Sequence, residues 1–367
     1  MKVNTISLNS VRLNTIALNH IGEIRSGGGG SKPSPIPQWI REHVVFYYDV
    51  KKQGATNETL KESAYLQDLS GKGRRMKLNN FLFAEMSGVG GYNDNFSNWR
   101  TDSNNGAVKI ESDSSIVIQS VKIEYRGVLY QDSAKKATLK CNITGITEEL
   151  KGKLIFRYTD AEGSKNITLE NGYFELNSSE YEGLSGWYGF TSKQPIDNCN
   201  ITITQIPEYP GALVTDGVDD YGLVENLSSG VKMLFMTVNP IGDYNSRKDY
   251  YSQIKKYGDD FRVIAYPNDI AYNHENPNNV TYINGVLNKS IYPEELFDIK
   301  HTFTIVNNAV PLSEDRTCVF FRYNLGGDYY SRIAFYNSIA FDSIPTEADG
   351  FTEQELIDYV LTNIIGQ

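Results

Sequence analysis

The sequence lacks the residue types and runs on which several large classes of function depend. It has 3 cysteines in 367 residues, and Cys141, Cys199 and Cys318 stand too far apart in the sequence for the paired spacing of a zinc site. No apolar run approaches the roughly 18 residues that cross a membrane. The net charge of −10 argues against a surface that binds nucleic-acid phosphates. We therefore expect no zinc site, no membrane insertion and no nucleic-acid partner.

Motifs of common catalytic sites are missing as well. The 4 histidines are scattered, and neither a nucleophile elbow nor a phosphate-binding loop occurs. No strand carries the closely spaced E-x-D-x-x-E pattern that supplies the two carboxylates of glycoside cleavage on a β-sandwich. Glu294, Glu295 and Asp298 are close in sequence, but their segment reads as a surface turn. We therefore expect a protein that is not an enzyme.

What the chain has in quantity is tyrosine and glycine, with 25 and 31 residues. Aromatic and β-branched residues favour strands, and glycine favours the turns between them. Alternation of apolar and polar residues, with a turn every 8 to 12 residues, is typical of an antiparallel sandwich. This pattern is clearest in residues 107–127, 137–146, 154–159, 167–176 and 200–206.

The first residues repeat a five-residue unit four times: NTISL, NSVRL, NTIAL and NHIGE. A period of 5 fits neither a helix nor a regular strand, but it suits short extended pieces broken by asparagine turns. Four such short units are too few to bury an apolar face alone. We therefore predict that this arm anchors or oligomerises the protein. The alternative is a disordered tail. The apolar positions of the arm are Ile6, Leu8, Val11, Leu13, Ile16, Leu18 and Ile21.

Composition changes divide the rest of the chain. Residues 26–37 (SGGGGSKPSPIP) read as a linker, flexible in its Gly/Ser half and stiffer in its Pro half; its SGGGGS part is either natural or engineered. One helix is predicted near the end, because Thr352 and Glu355 form a capping box before an apolar stripe in residues 353–364. The predicted parts are the arm (1–25), the linker (26–37), a first sandwich part (38–99), an inserted sandwich (100–207) and a second sandwich part (208–367).

Three motifs carry a resemblance to a known fold family. They are the turn DLSGKG from Asp68, the hairpin DGVDDY from Asp216, and a late strand followed by EQELIDYV. In this order they resemble the concanavalin A-like (LamG/pentraxin-type) β-sandwich, over residues 39–96 and 212–363. The resemblance implies an all-β chain, with a jelly-roll sandwich interrupted by a second, smaller antiparallel β-sandwich. The arm at the start and one short C-terminal helix complete the expected fold.

The layout of arm, linker and split sandwich also resembles virion proteins of Bacteroidetes-infecting (crAss-like) tailed phages, such as head-fibre or tail-associated proteins. That resemblance implies a homo-oligomer, expected to be a trimer, that contacts other virion proteins through its arm. It further implies assembly in the bacterial cytoplasm, localisation in the virion and adhesion to host-surface polysaccharide. A free bacterial lectin-like module and a polysaccharide depolymerase are the alternatives.

Aromatic residues near Gly- or Asn-rich loops are the candidates for a glycan platform. Trp187 and Tyr188 lie in GLSGWYGF, and Tyr92 and Trp99 flank an Asn-rich loop. Loops positioned by a rigid scaffold often carry binding residues. The alternative is that these aromatic rings belong to the core of the sandwich.

The concanavalin-like resemblance also implies a calcium site. Asp216, Asp219 and Asp220 offer the hard oxygen ligands that calcium prefers. The alternative is that these carboxylates accept backbone hydrogen bonds and so fix a hairpin. The sequence implies no other cofactor.

Overall fold

The computed structural model describes residues 34–84, 86–131, 138–177, 186–227, 230–241, 249–255, 261–265, 279–288, 298–307, 316–323 and 329–366. The N-terminal repeats, with the predicted assembly positions from Ile6 to Ile21, lie outside these residues. The chain divides into two compact units. Unit 2 comprises residues 84–86 and 90–210, and unit 1 comprises the remaining described residues. The insertion predicted from the sequence, residues 100–207, lies within unit 2.

Unit 1 contains an eight-stranded antiparallel sheet. Strands are numbered in chain order, and the order across this sheet is β21-β20-β22-β17-β26-β15-β4, with β1 also paired to β26. Both faces of its central strands are covered, so every residue of β17 is buried. The strands are β1 (Val44–Asp49), β4 (Gly88–Val89), β15 (Leu213–Val214), β17 (Met233–Pro240), β20 (Asn279–Ile283), β21 (Val286–Asn288), β22 (His301–Asn307) and β26 (Ile333–Phe341).

A six-stranded sheet packs on one face of the first, in the order β19-β18-β23-β16-β3-β2. Phe46, Met236 and Phe320 belong to the apolar core between the two sheets. A two-stranded pair forms a small sheet of its own next to β18. The strands are β2 (Tyr65–Leu66), β3 (Met76–Asn79), β16 (Tyr221–Leu227), β18 (Asp249–Lys255), β19 (Phe261–Ala265) and β23 (Arg316–Phe320), with β24 (Arg322–Tyr323) and β25 (Tyr329–Tyr330) forming the pair.

Two of the three α-helices in the described residues cover the other face of the eight-stranded sheet, and the remaining one contributes Leu60 to the core between the two sheets. The described residues contain α1 (Pro35–His43), α2 (Asn57–Ser63) and α3 (Glu353–Tyr359), and α3 continues as a π-helical turn over Val360–Ile365. The predicted capping box is present at α3, where the Glu355 amide donates to Thr352 Oγ1 at 3.2 Å. Leu356 and Trp39 share a core cluster with Phe235 of the sheet. The predicted C-terminal helix is therefore confirmed.

The linker predicted over residues 26–37 is too long at its C-terminal end. Pro35 and Pro37 lie in the first turn of α1, where a proline costs no helical hydrogen bond because the first amides of a helix have no partner in it. The ring of Trp39 in the same helix lies 5.4 Å from the ring of Phe341, between centroids. Residues from Pro35 onward therefore belong to the packed unit.

Unit 2 is an antiparallel sandwich of two five-stranded sheets. The first has the order β11-β10-β13-β8-β5 and the second the order β12-β9-β14-β7-β6. Phe156, Phe190 and Ile203 belong to one core that draws on both sheets. The first sheet has β5 (Arg100–Thr101), β8 (Leu129–Gln131), β10 (Leu154–Asp160), β11 (Gly163–Thr168) and β13 (Tyr188–Ser192); the second has β6 (Gly106–Ser112), β7 (Ser115–Val121), β9 (Thr138–Thr144), β12 (Gly172–Asn177) and β14 (Ile201–Gln205).

The described chain is thus all-β, with antiparallel sandwiches and a short C-terminal helix, as the sequence predicts. Among its described helices, none combines the length and apolarity of a membrane span.

Candidate functional site

The three aspartates selected from the sequence lie together at a tight turn of unit 1. The ligand oxygens of Asp216, Asp219 and Asp220 all lie within 4.8 Å of one another. Gly217 has a φ of 75°, in the left-handed region that glycine adopts at low cost. The turn brings Asp216 close to the exposed Asp219 and to Asp220, which is fully buried just before β16.

Hydrogen bonds account for most of this geometry. Asp220 Oδ1 accepts from Ser87 Oγ at 3.0 Å, and its Oδ2 accepts from the Asp216 amide at 2.9 Å. Asp216 Oδ1 in turn accepts from the amides of Val218 at 2.7 Å and Asp219 at 3.3 Å. The cluster therefore fixes the hairpin in the way that the sequence-based alternative describes.

A calcium ion would find few unused protein oxygens here. Three carboxylates have six oxygens, and three of these accept the hydrogen bonds just described, which leaves Asp216 Oδ2 and both oxygens of Asp219 among the described residues. Calcium takes about 6 to 8 oxygen ligands, so water would have to supply the rest. Burial raises the pKa of Asp220 to about 7, opposed by the Asp216 amide and increased by the Asp216 carboxylate. The calcium site stays a prediction.

The other turn behind the resemblance is also held by an aspartate. Asp68 Oδ1 accepts from the amides of Tyr47 at 3.0 Å and Ser70 at 2.9 Å, and Oδ2 accepts from the Arg74 amide at 2.9 Å. Asp68 is buried. It therefore joins the DLSGKG turn to β1 and is not available to a ligand.

Two of the four predicted glycan-binding aromatics are core residues. Trp99 is 4% exposed and Tyr188 is 5% exposed, and their ring centroids lie 5.5 Å apart in an edge-to-face contact. Trp99 also stacks on Phe190 at 5.8 Å. Their assignment to a glycan platform is wrong, because both side chains point into the sandwich of unit 2.

Trp187, in contrast, lies on the outer face of the first sheet of unit 2. Its ring centroid is 5.9 Å from that of Tyr130 in an edge-to-face contact, and the guanidinium carbon of Arg157 lies 5.8 Å from the Trp187 ring centroid. The same guanidinium carbon lies 5.5 Å from the ring centroid of Tyr125, which is 38% exposed. We call Tyr125, Tyr130, Arg157 and Trp187 the aromatic–arginine patch.

Strand register explains why these side chains meet. Arg157 on β10 pairs with Gly189 on β13, which pairs with Tyr130 on β8. Directly paired residues point to the same face of a sheet. The neighbouring pair, Phe156 and Phe190, belongs to the core. Because successive residues of a strand alternate between faces, Arg157 and Tyr130 lie on the outside.

Two glycines hold Tyr130 close to the sheet. A Cβ atom on Gly127 would lie 2.8 Å from Tyr130 Cδ1, and one on Gly189 would lie 2.6 Å from Tyr130 Cα. Both distances are too short for real contacts, so a side chain at either position would displace Tyr130. Because glycine has no side chain at these two positions, this part of the sheet surface stays flat.

Polar groups border the aromatic surface. Asn166 is exposed and pairs directly with Arg157 across β10 and β11. The ion pairs found among the described residues of unit 2 do not involve Arg157; they join Lys109 to Glu111, Lys140 to Glu175, Lys151 to Glu148 and Lys165 to Glu162. A mostly apolar surface with a few placed polar groups is the usual composition of a small-molecule site.

Tyr92 does not join this patch. It is partly buried, and its Cζ lies 3.8 Å from the position of a Cβ atom on Gly90. Among the described residues Tyr92 has no ring contact with Trp187. The structure therefore brings together one of the four predicted aromatics, Trp187, with three residues that the sequence did not indicate.

Comparisons with known proteins add no chemistry. The chain matches no family model and no curated protein. Among solved structures, that of allantoicase aligns with a TM-score of 0.16 and 10% sequence identity, covering 68% of this chain and 89% of that chain. A likeness this low carries no argument about fold or activity.

Proposed function

We propose that this protein is a non-catalytic structural and adhesion protein of a phage particle, which binds host-surface glycans through the aromatic–arginine patch. The observation that carries the proposal is the position of Trp187, on an outer sheet face next to Tyr130 and Arg157. Aromatic rings offer large apolar faces at low conformational cost. Pyranose rings expose C–H groups that pack on such faces, and Asn166 and Arg157 supply hydrogen-bond donors for hydroxyl groups.

The virion part of the proposal comes from the N-terminal repeats. A flat surface of four residues encloses little of a sugar, so a single copy should bind weakly. Several copies held together raise the apparent affinity through effective concentration. An arm that assembles the protein, as a trimer and onto other virion proteins, would supply those copies.

The glycan-binding part is tested by replacing the tryptophan. We expect Trp187→Ala to reduce binding of the full-length protein to a glycan array of bacterial surface polysaccharides. The matched control is Tyr173→Ala, since Tyr173 is 63% exposed on β12 of the second sheet. Unchanged binding by Trp187→Ala, or equal loss in both variants, would remove the patch as the site.

Light scattering tests the assembly part. The comparison is between the full-length chain and one that begins at Ser34, because α1 starts at Pro35 and buries Trp39. We expect an oligomer for the first and a monomer for the second. Monomers in both cases would favour a free lectin-like module, and release of sugar from capsular polysaccharide would favour a depolymerase.

A further inference from the structure

We infer that the aromatic–arginine patch is specific for acidic glycans, in which a sugar carboxylate binds the guanidinium of Arg157 while the sugar ring packs on Trp187. This inference rests on the proposed glycan-binding function and adds the substrate class to it. A patch for neutral sugars would need the aromatic faces and hydroxyl partners alone. The way in which Arg157 is held favours acidic sugars.

Arg157 stands between two rings. Its guanidinium carbon lies 5.5 Å from the ring centroid of Tyr125 and 5.8 Å from that of Trp187. Contacts with aromatic faces orient the planar guanidinium but do not use its N–H groups in hydrogen bonds to an anion. The group is therefore positioned in advance with donors available at the outer face.

The charge of Arg157 is not balanced inside unit 2 by any described carboxylate. Described ion pairs of this unit join lysines to Glu111, Glu148, Glu162 and Glu175, and none of these pairs includes Arg157. A guanidinium forms a bidentate, charge-assisted pair with a carboxylate, a geometry that a hydroxyl group does not match. Charge complementarity thus favours an acidic sugar over a neutral one.

The neighbouring residues suit the rest of a uronic acid. Asn166 pairs with Arg157 across the strands, so its amide borders the position of the carboxylate and can meet a ring hydroxyl group. Gly189, the other neighbour of Arg157, has no side chain. Tyr130 fills the space above Gly189, so a sugar ring would pack on the outer side of Tyr130 and Trp187, next to Arg157.

The experiment measures binding of the full-length protein to defined acidic oligosaccharides by calorimetry. The probes are oligomers of polygalacturonate, alginate and hyaluronan, each compared with its carboxyl-reduced, neutral counterpart. We expect at least one acidic probe to bind, and its carboxyl reduction to weaken binding about tenfold or more, the usual effect of losing a charge-assisted hydrogen-bonded pair. Added salt should weaken binding of the acidic probe only.

Variants assign the effect to one residue. Arg157→Gln should weaken binding of the acidic probe about as much as carboxyl reduction does, and Arg157→Lys should fall between, because it keeps the charge without the planar fork. The control is Lys109→Gln, which removes one charge from β6 in the other sheet and should have no effect. Should Arg157→Gln fail to fold, carboxyl reduction of the probe still tests the inference with the unaltered protein.

The outcomes separate this inference from the proposed function. Equal binding of acidic and neutral probes that is lost in Trp187→Ala, with Arg157→Gln unchanged, would overturn the acidic specificity and keep the glycan site. Binding of neutral probes alone would do the same. Failure of every glycan to bind would overturn both.

Discussion

Replacing Asp220 with asparagine should change how the stability of unit 1 depends on pH. Asp220 is fully buried, and burial raises the pKa of its carboxyl to about 7 from 3.8. Between these two values the folded protein keeps a proton that the unfolded chain has released. The free energy of unfolding of the wild type should therefore fall as the pH rises through this interval, and level off above it.

The size of the effect follows from the two pKa values. Each pKa unit corresponds to about 1.4 kcal/mol, so the interval from 3.8 to about 7 amounts to about 4 kcal/mol. Asparagine keeps an oxygen that can accept from the Asp216 amide and an amide that can face Ser87 Oγ, but it does not titrate. Relative to the wild type, Asp220→Asn should therefore gain about 4 kcal/mol between the acidic and the neutral end of the interval.

Urea unfolding at a series of pH values, with a chelator present throughout, measures this difference. The two units have separate cores, so the relevant quantity is the shift of the one transition that the substitution moves. Asp219→Asn is the matched control, because Asp219 is exposed and its carboxylate is the smallest of the contributions to the pKa of Asp220, so its replacement should give a much smaller pH-dependent difference. A difference between wild type and Asp220→Asn that stays constant with pH, or that shifts in favour of the wild type as the pH rises, would show that folded Asp220 does not keep its proton in this interval. When calcium replaces the chelator, the urea midpoint of the wild type should not change, because few carboxylate oxygens of the cluster remain unused. An increase in the wild-type midpoint that Asp219→Asn abolishes would instead establish the calcium site.

Two further substitutions test local geometry. Gly127→Ala should lower glycan binding and leave the circular dichroism spectrum unchanged, because the added Cβ would lie 2.8 Å from Tyr130 Cδ1 and push the ring from the patch. Wild-type affinity of this variant would show that the position of Tyr130 does not matter for binding. Thr352→Ala should destabilise unit 1 by about 1 kcal/mol in urea unfolding, since it removes the N-cap hydrogen bond to the Glu355 amide, and an unchanged midpoint would show that packing alone fixes α3.

Features that depend on neighbouring residues in the chain could be predicted from the sequence. The capping box at Thr352 and Glu355 needs a separation of three residues, and it lies where the pattern placed it. The hairpin at Asp216 and Gly217 is equally local. The sequence pattern does not indicate helix α1, because Pro35 and Pro37 are typical of a stiff spacer, although a first helical turn also accepts proline. A short helix needs tertiary packing to be stable, here through Trp39, and the sequence pattern does not display that contact.

Features that depend on which strands are neighbours could not be predicted in the same way. Trp187 and Tyr188 were grouped because they are adjacent in the chain, but adjacent residues at a strand point to opposite faces. Tyr188 is therefore in the core, and Trp187 is outside. The alternation in LIFRYTD places Arg157 on the outer face of β10, yet only the pairing of β10 with β13 and β8 brings it to Trp187 and Tyr130.

The shape of the patch explains why the proposed glycan binding requires the proposed assembly. The patch lies on paired strands whose glycines leave no wall around Tyr130, so a sugar can pack on it without being enclosed. Such a surface needs little rearrangement on binding, which saves ordering entropy, but it removes only one side of the ligand from water. Single-site affinity should then be low whatever the sugar. Adhesion through this face therefore requires several copies on one support, and an N-terminal segment with repeated apolar positions is the part of this chain suited to gather them.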